Sequence, residues 1–147
     1  MSFLNSINIS ASALTAEKLR MDVISKNIAN ANTAKTANGT PYRRQMVVFQ
    51  GSDNIPFSQY LSDASKNLIG NGGVKVKGIV EDTSPLKQVY DPGNPDADEN
   101  GYVQMPNVDV TTEMVNMITA SRSYEANVTA INTAKSMAMK ALEIGRG

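Results

Sequence analysis

The stretch VDVTTEMVNMITASRSYEANVTAINTAKSMAMKALEIG, residues 108–145, decides the fold. It holds no proline, and its one glycine, Gly145, is its last residue. Stepping by four and three from Val110 gives Met114, Met117, Ser121, Tyr124, Val128, Ile131, Lys135, Ala138 and Leu142. Only Ser121 and Lys135 break the apolar pattern, which is that of one helical face. Asp109 suits the N-cap, Glu113 favours the positive end of the helix dipole, and Gly145 suits the stop. A helix over 109–144 would be roughly 54 Å long at 1.5 Å per residue. It would far exceed the ~11–12 residues of an average globular helix.

The amino-terminal end carries a second such pattern. Residues 1–38 also lack glycine and proline, whereas 39–106 contain all six prolines and eight of the ten glycines. Ile7, Leu14, Met21 and Ile28 recur every seven residues, and Ala11, Ile24 and Ala31 fill the gaps. Lys18, Asp22 and Lys26 form a neighbouring solvated row. The stripe runs into ISKNIANANTA, residues 24–34, where Asn27, Asn30 and Asn32 crowd together. Asparagine competes with the helix for backbone hydrogen bonds, so these residues mark a helix end, with Gly39 and Pro41 following. Either they fray that end, or their amides fix register in a packed helical interface.

The middle reads as strands. RRQMVVFQ (43–50) and GVKVKGIVED (73–82) lead, with Val74 and Val76 alternating against Lys75 and Lys77. LKQVY (86–90) and GYVQM (101–105) are shorter candidates. PFSQYLSDASKNLIG (56–70) suits a short helix started by Pro56, and DPGNPDADENG (91–101) is a loop. The expected fold is mainly α with a small β-rich insert. Its two long terminal helices form an antiparallel coiled-coil-like layer, and its middle holds short antiparallel strands and one short helix. The expected division is a discontinuous helical assembly domain, 1–38 plus 107–147, and a β-rich middle domain, 39–106.

Composition narrows the chemistry. The chain has 147 residues, with 14 basic and 14 acidic side chains, so no net field draws nucleic acid. It has no cysteine and no histidine, which removes the commonest nucleophile–base pairs and metal ligands. No serine sits in a nucleophile elbow, and GNGG (70–73) precedes a strand without a following GK[ST]. DADENG places Asp96, Asp98 and Asn100, then Gly101, as in the first half of a calcium loop, but its twelfth position is Asn107 where a bidentate glutamate is needed. An acidic turn is the preferred reading. Arg43 and Arg44 read as a solvated or interface pair. No catalytic residue and no cofactor is expected, and no run of apolar residues is long enough to cross a bilayer or form a signal-peptide core.

Two long stripes and a small turn-rich middle leave apolar surface uncovered. Other copies or other chains are expected to supply the cover, through Ile7, Leu14, Met21, Asn27, Ile28, Asn30, Asn32, Met114, Met117, Tyr124, Val128, Ile131 and Leu142. Two alternatives from other classes are a freestanding coiled-coil adaptor and a calcium-responsive module built on the 96–101 loop.

VISKNIANANT (23–33) resembles the amino-terminal signature of bacterial flagellar rod, hook and hook-associated proteins. NGTPYRRQMVVFQ (38–50), QVYDPGNPDADENGYVQMPNVDV (88–110) and EMVNMITASRSYEANVTAINTAKSMAMKALEIGR (113–146) narrow the resemblance to the proximal-rod branch of the basal-body rod proteins. Asn94 stands where that pattern would have histidine, and residues 51–72 are the least distinctive. The resemblance implies a non-enzymatic structural subunit of a tubular drive shaft spanning the periplasm. It implies export through the flagellar type III apparatus without a cleaved signal. The implied partners are other copies, other proximal and distal rod proteins, and the adaptor to the membrane-embedded MS ring, with no nucleic acid and no membrane insertion. A sister rod subunit is the rival within the same class.

Overall fold

The computed structural model describes residues 3–51 and 72–145. The short helix expected over 56–70 falls outside them. The element order is α1 (Phe3–Ala29), β1 (Gln45–Gly51), β2 (Val74–Glu81), β3 (Lys87–Tyr90), β4 (Tyr102–Met105) and α2 (Val110–Ile144).

Both helices end where the side chains dictate. At the end of α1, Asn30 folds its Nδ2 back onto the Lys26 carbonyl at 2.9 Å, a second donor to an oxygen that also accepts the Asn30 N–H at 3.1 Å. The backbone N–H of Ala31 then bonds the Ile28 carbonyl at 3.2 Å, three residues back, which tightens the turn and stops the helix. Asp109 caps α2: its carboxylate accepts from the Thr111 N–H and the Thr112 hydroxyl, and its carbonyl from the Glu113 N–H.

β3 and β4 pair antiparallel, with Lys87 opposite Met105 and Tyr90 opposite Tyr102. At the loop end of this hairpin the Tyr90 and Tyr102 rings meet edge to face, 5.3 Å between centroids. Gly101 takes φ +80, and a Cβ there would lie 3.0 Å from the Tyr90 ring, so only glycine fits without strain. β1 pairs with β2 in a second two-stranded sheet. The Asp82 N–H bonds the Arg44 carbonyl at 2.8 Å, joining the exit of β2 to the entry of β1, as antiparallel pairing requires. Along β2, Val74 and Val76 are half-buried while Lys75 and Lys77 are exposed.

The chain forms two compact units, and neither is wholly helical or wholly β. One, the inner unit by the place of its helix segments along the sequence, comprises Leu19–Val48 and Gly78–Ser121. Its core holds Val23, Ile24, Tyr42, Val103, Pro106, Val108 and Ala120, with Asn27 and Glu113 buried among the polar residues. The other, the outer unit, comprises Met1–Lys18, Phe49–Lys77 and Arg122–Gly147. Among its described residues Ala16 and Ala134 are buried, and the Ser12 hydroxyl accepts the Val74 N–H at 3.1 Å.

The most buried faces only partly coincide with the apolar stripes of the sequence. On α2 the buried positions are Glu113, Ala120 and Ala134, and half-buried Asn127 completes a row with seven-residue spacing. The expected row through Met117, Tyr124, Val128 and Ile131 is half-buried, and Met114 is 56 % exposed. On α1, Val23, Ile24 and Asn27 are buried while Ile7, Leu14, Met21 and Ile28 are half-buried. On α2 small and polar residues occupy the covered face and the larger apolar residues lie on the flanks, whereas on α1 Val23 and Ile24 are themselves covered.

Candidate functional site

Asn27 sits in the last turn of α1 and is 1 % exposed. Its Nδ2 donates to the Gln45 carbonyl and to Glu113 Oε2, both at 2.8 Å. Its Oδ1 accepts from the Tyr42 hydroxyl and the Gln45 N–H, both at 2.9 Å. An amide has two donor hydrogens and two acceptor lone pairs, so every capacity of this one is used.

Glu113, in the first turn of α2, is likewise 1 % exposed. Its second oxygen, Oε1, receives Arg44 Nε at 2.9 Å and Arg44 Nη2 at 2.7 Å. A carboxylate this buried is costly unless it is paired and hydrogen-bonded, and here both conditions hold. Burial opposes the charge on Arg44, but hydrogen bonds and charge from Glu113, then from Asp82, outweigh it and raise the guanidinium pKa. Burial, with the charges of Glu113 and Glu81 behind it, raises the Tyr42 pKa and keeps its hydroxyl a donor.

A second ring of bonds ties this cluster to the strands. Asn107 Oδ1 accepts the Arg44 N–H at 2.8 Å, and Asn107 Nδ2 donates to the carbonyls of Asp82 and Ser84. Arg43 Nη1 donates to the same two carbonyls. The hydroxyl and N–H of Ser84 hold the Asp82 carboxyl below its ordinary value, and Arg44 assists. One network thus joins the end of α1, the entry to β1, the exit of β2 and the start of α2.

Asn27 was expected at an interface between chains; its amide is spent inside its own. The reason is that three chain segments converge on it, which no local pattern reveals. Arg44, read as a solvated or interface residue, is the partner that Glu113 requires. A signal was available: an acidic residue seven before Ala120 and twenty-one before Ala134 shares their face, and a buried acid needs a cation. Asn30 closes its own helix, and Asn32 is exposed. Leu142 is 70 % exposed, and Val115 and Ile118 join Met114 as exposed apolar residues of α2.

The acidic loop is spent on its own turn and on Lys35. Asp98 Oδ1 accepts the backbone N–H groups of Asn100 and Tyr102, and Asp96 pairs with Lys35 at 2.9 Å. Among the described residues no group of three His, Cys, Asp or Glu side chains is placed to hold a metal ion, and no helix is long and apolar enough to cross a membrane.

Two long terminal helices with exposed apolar flanks, two small strand pairs and a polar cluster devoted to holding the chain together fit a structural assembly subunit. Family models support this at both ends: "Flagella basal body rod protein" matches residues 7–34, and "Flagellar basal body rod FlgEFG protein C-terminal" matches residues 99–144. The chain is 54 % identical to the flagellar basal-body rod protein FlgC of Bacillus subtilis, with 99 % of this chain and 100 % of that protein aligned. It is 49 % identical to FlgC of Borreliella burgdorferi over the whole of both chains, and 47 % identical to FlgC of Salmonella typhimurium over 99 % of this chain and all of that protein. The chain belongs to the FlgC family of flagellar basal-body rod proteins, and its role is that of a structural rod subunit.

Proposed function

We propose that this subunit builds the proximal rod by polymerising through its terminal helices, and that it carries no catalytic activity. The observation behind this reading is the apolar surface left on α2, where Met114, Val115, Ile118, Met137, Met139, Leu142 and Ile144 are all more than half exposed. So much apolar surface along one helix is a liability unless neighbours cover it. Head-to-tail contacts between unlike surfaces extend into an open helical stack, which suits a tube. The partners proposed are further copies, other proximal and distal rod proteins, and the adaptor to the MS ring. The proposed route is unfolded export through the flagellar type III apparatus without signal cleavage, ending in the periplasm-spanning rod. Interface positions proposed from the helix flanks are Ile7, Leu14, Met21, Ile28, Met114, Met117, Tyr124, Val128, Ile131 and Leu142.

The test is Val128→Asp expressed in a strain lacking the wild-type chain. A charge on that flank should keep the subunit out of purified basal bodies and abolish swimming, while the free subunit keeps its helicity. Normal rods carrying the substitution would refute assembly through this face.

A further inference from the structure

Leu19–Ala29 of α1 and Val110–Ser121 of α2 belong to the inner unit, and each spans about a dozen residues. Isolated helices of that length are marginal in water, so their order depends on tertiary partners. The apolar partners are few: Val23, Ile24, Val103, Val108 and Ala120 carry most of that core. What else binds the two segments is the cluster of Asn27, Arg44 and Glu113.

We infer that this cluster is an ordering latch. In the lone subunit it holds the inner parts of both helices folded on their own chain, and it confines the ordering that accompanies assembly to Phe3–Lys18 and Arg122–Ile144. The second half of this statement rests on the rod-subunit reading; the latch itself does not.

Three features support the assignment. The contacts are long-range in sequence, 18 residues from Asn27 to Gln45 and 86 from Asn27 to Glu113, so the latch closes only when both ends of the chain are in place. Its donors all meet acceptors, which makes it specific for register: moving α2 by one residue would put Thr112 or Met114 against Arg44 and take the Glu113 carboxylate from its half-buried guanidinium. The described ties of the outer parts are of another kind: the Ser12 hydroxyl accepts the Val74 N–H, and the Lys140–Glu143 pair is exposed at both ends and worth little.

Amide hydrogen exchange on the dilute full-length subunit tests this. In the wild type, inner amides of both helices should exchange at one common rate, roughly a hundredfold or more slower than outer ones, as a cooperative opening unit does. Glu113→Ala and Asn27→Ala should each accelerate the inner amides of both helices together, by roughly ten- to a hundredfold, and leave the outer amides unchanged. Inner amides as fast as outer ones in the wild type would overturn the latch. So would a Glu113→Ala protein in which the first turns of α2 speed up while Leu19–Ala29 does not. If either alanine variant fails to fold, Tyr42→Phe removes one bond to Asn27 and should give a smaller acceleration shared by both helices; acceleration confined to α1 would count against the latch. Incorporation of the wild-type chain into purified basal bodies is scored separately, so loss of the latch and loss of the rod reading leave different records.

Discussion

The inner and outer parts of the same two helices are held by different means. Inside Leu19–Val48 and Gly78–Ser121, two buried polar residues and a ring of strand-end bonds fix the helices to their own chain. Beyond Ser121, α2 continues with Ala134 as its buried residue and with Met137, Met139, Leu142 and Ile144 exposed. One continuous helix can therefore serve two masters: its first turns complete a small folded unit, and its remainder presents apolar surface for neighbours. Stability and assembly are separable along its length, so substitutions in the two parts should fail in different ways.

Glu113→Ala should have the largest effect on the free subunit. It strips the partner from the Arg44 guanidinium and from Asn27 Nδ2, and breaking a buried pair in this way costs about 3–5 kcal/mol. Urea titration of the purified subunit should show a loss of that order. A loss under about 1 kcal/mol would mean that the cluster is wetter than its burial implies. Leu142→Ala is the contrasting change. At 70 % exposure the side chain contributes little to the lone chain, within about 0.5 kcal/mol. Yet the same substitution should reduce rod incorporation, read as swimming in soft agar and as subunit content of basal bodies. A Leu142→Ala subunit that melts early but assembles normally would invert the comparison.

Much of this fold was legible in the sequence, because the features that set it are local. Alternation of Val74 and Val76 with the lysines located β2, the absence of glycine and proline located both helices, and Asp109 located the start of α2. The latch was not legible. Counting apolar residues selects Met114, Met117 and Val128, and passes over Glu113, Ala120 and Ala134, because small and polar residues add nothing to a hydrophobic count. Yet small side chains allow close approach, and a glutamate can be buried when a distant arginine meets it. Asn27 was conspicuous as one of three asparagines, but only tertiary structure separates it from Asn30, which closes a helix, and Asn32, which faces solvent.

Intermediate effects should come from the inner unit's edges. Tyr42→Phe keeps the ring and deletes one of the two donors to Asn27 Oδ1, at a cost of about 1 kcal/mol in the same urea titration. Gly101→Ala should cost about 1 kcal/mol or more, since it pairs an unfavourable φ with a methyl pressed on the Tyr90 ring. Both belong to the inner unit, so neither should alter the exchange of outer amides. A change at Gly101 that loosened Arg122–Ile144 would show that the two parts are coupled.

The smallest effect is expected from pH, and again it should fall on the inner unit. Hydrogen bonds from Ser84 lower the Asp82 carboxyl, and the Thr112 hydroxyl, helped by backbone N–H groups and by Lys87, lowers that of Asp109. A carboxyl whose pKa is lower in the folded than in the unfolded chain stabilises the fold at all pH values above the unfolded value, about 3.9 for aspartate. That contribution fades as pH falls through the lowered folded value. Melting of the inner unit should therefore be flat from neutrality to about pH 5 and decline below about pH 4. Asp109→Asn separates charge from capping, since asparagine caps a helix about as well but does not titrate. Its acid decline should be shallower than the wild type's, while its neutral-pH melting point stays close. An identical acid profile would assign the whole decline to other carboxyls and leave Asp109 as a cap whose charge is irrelevant.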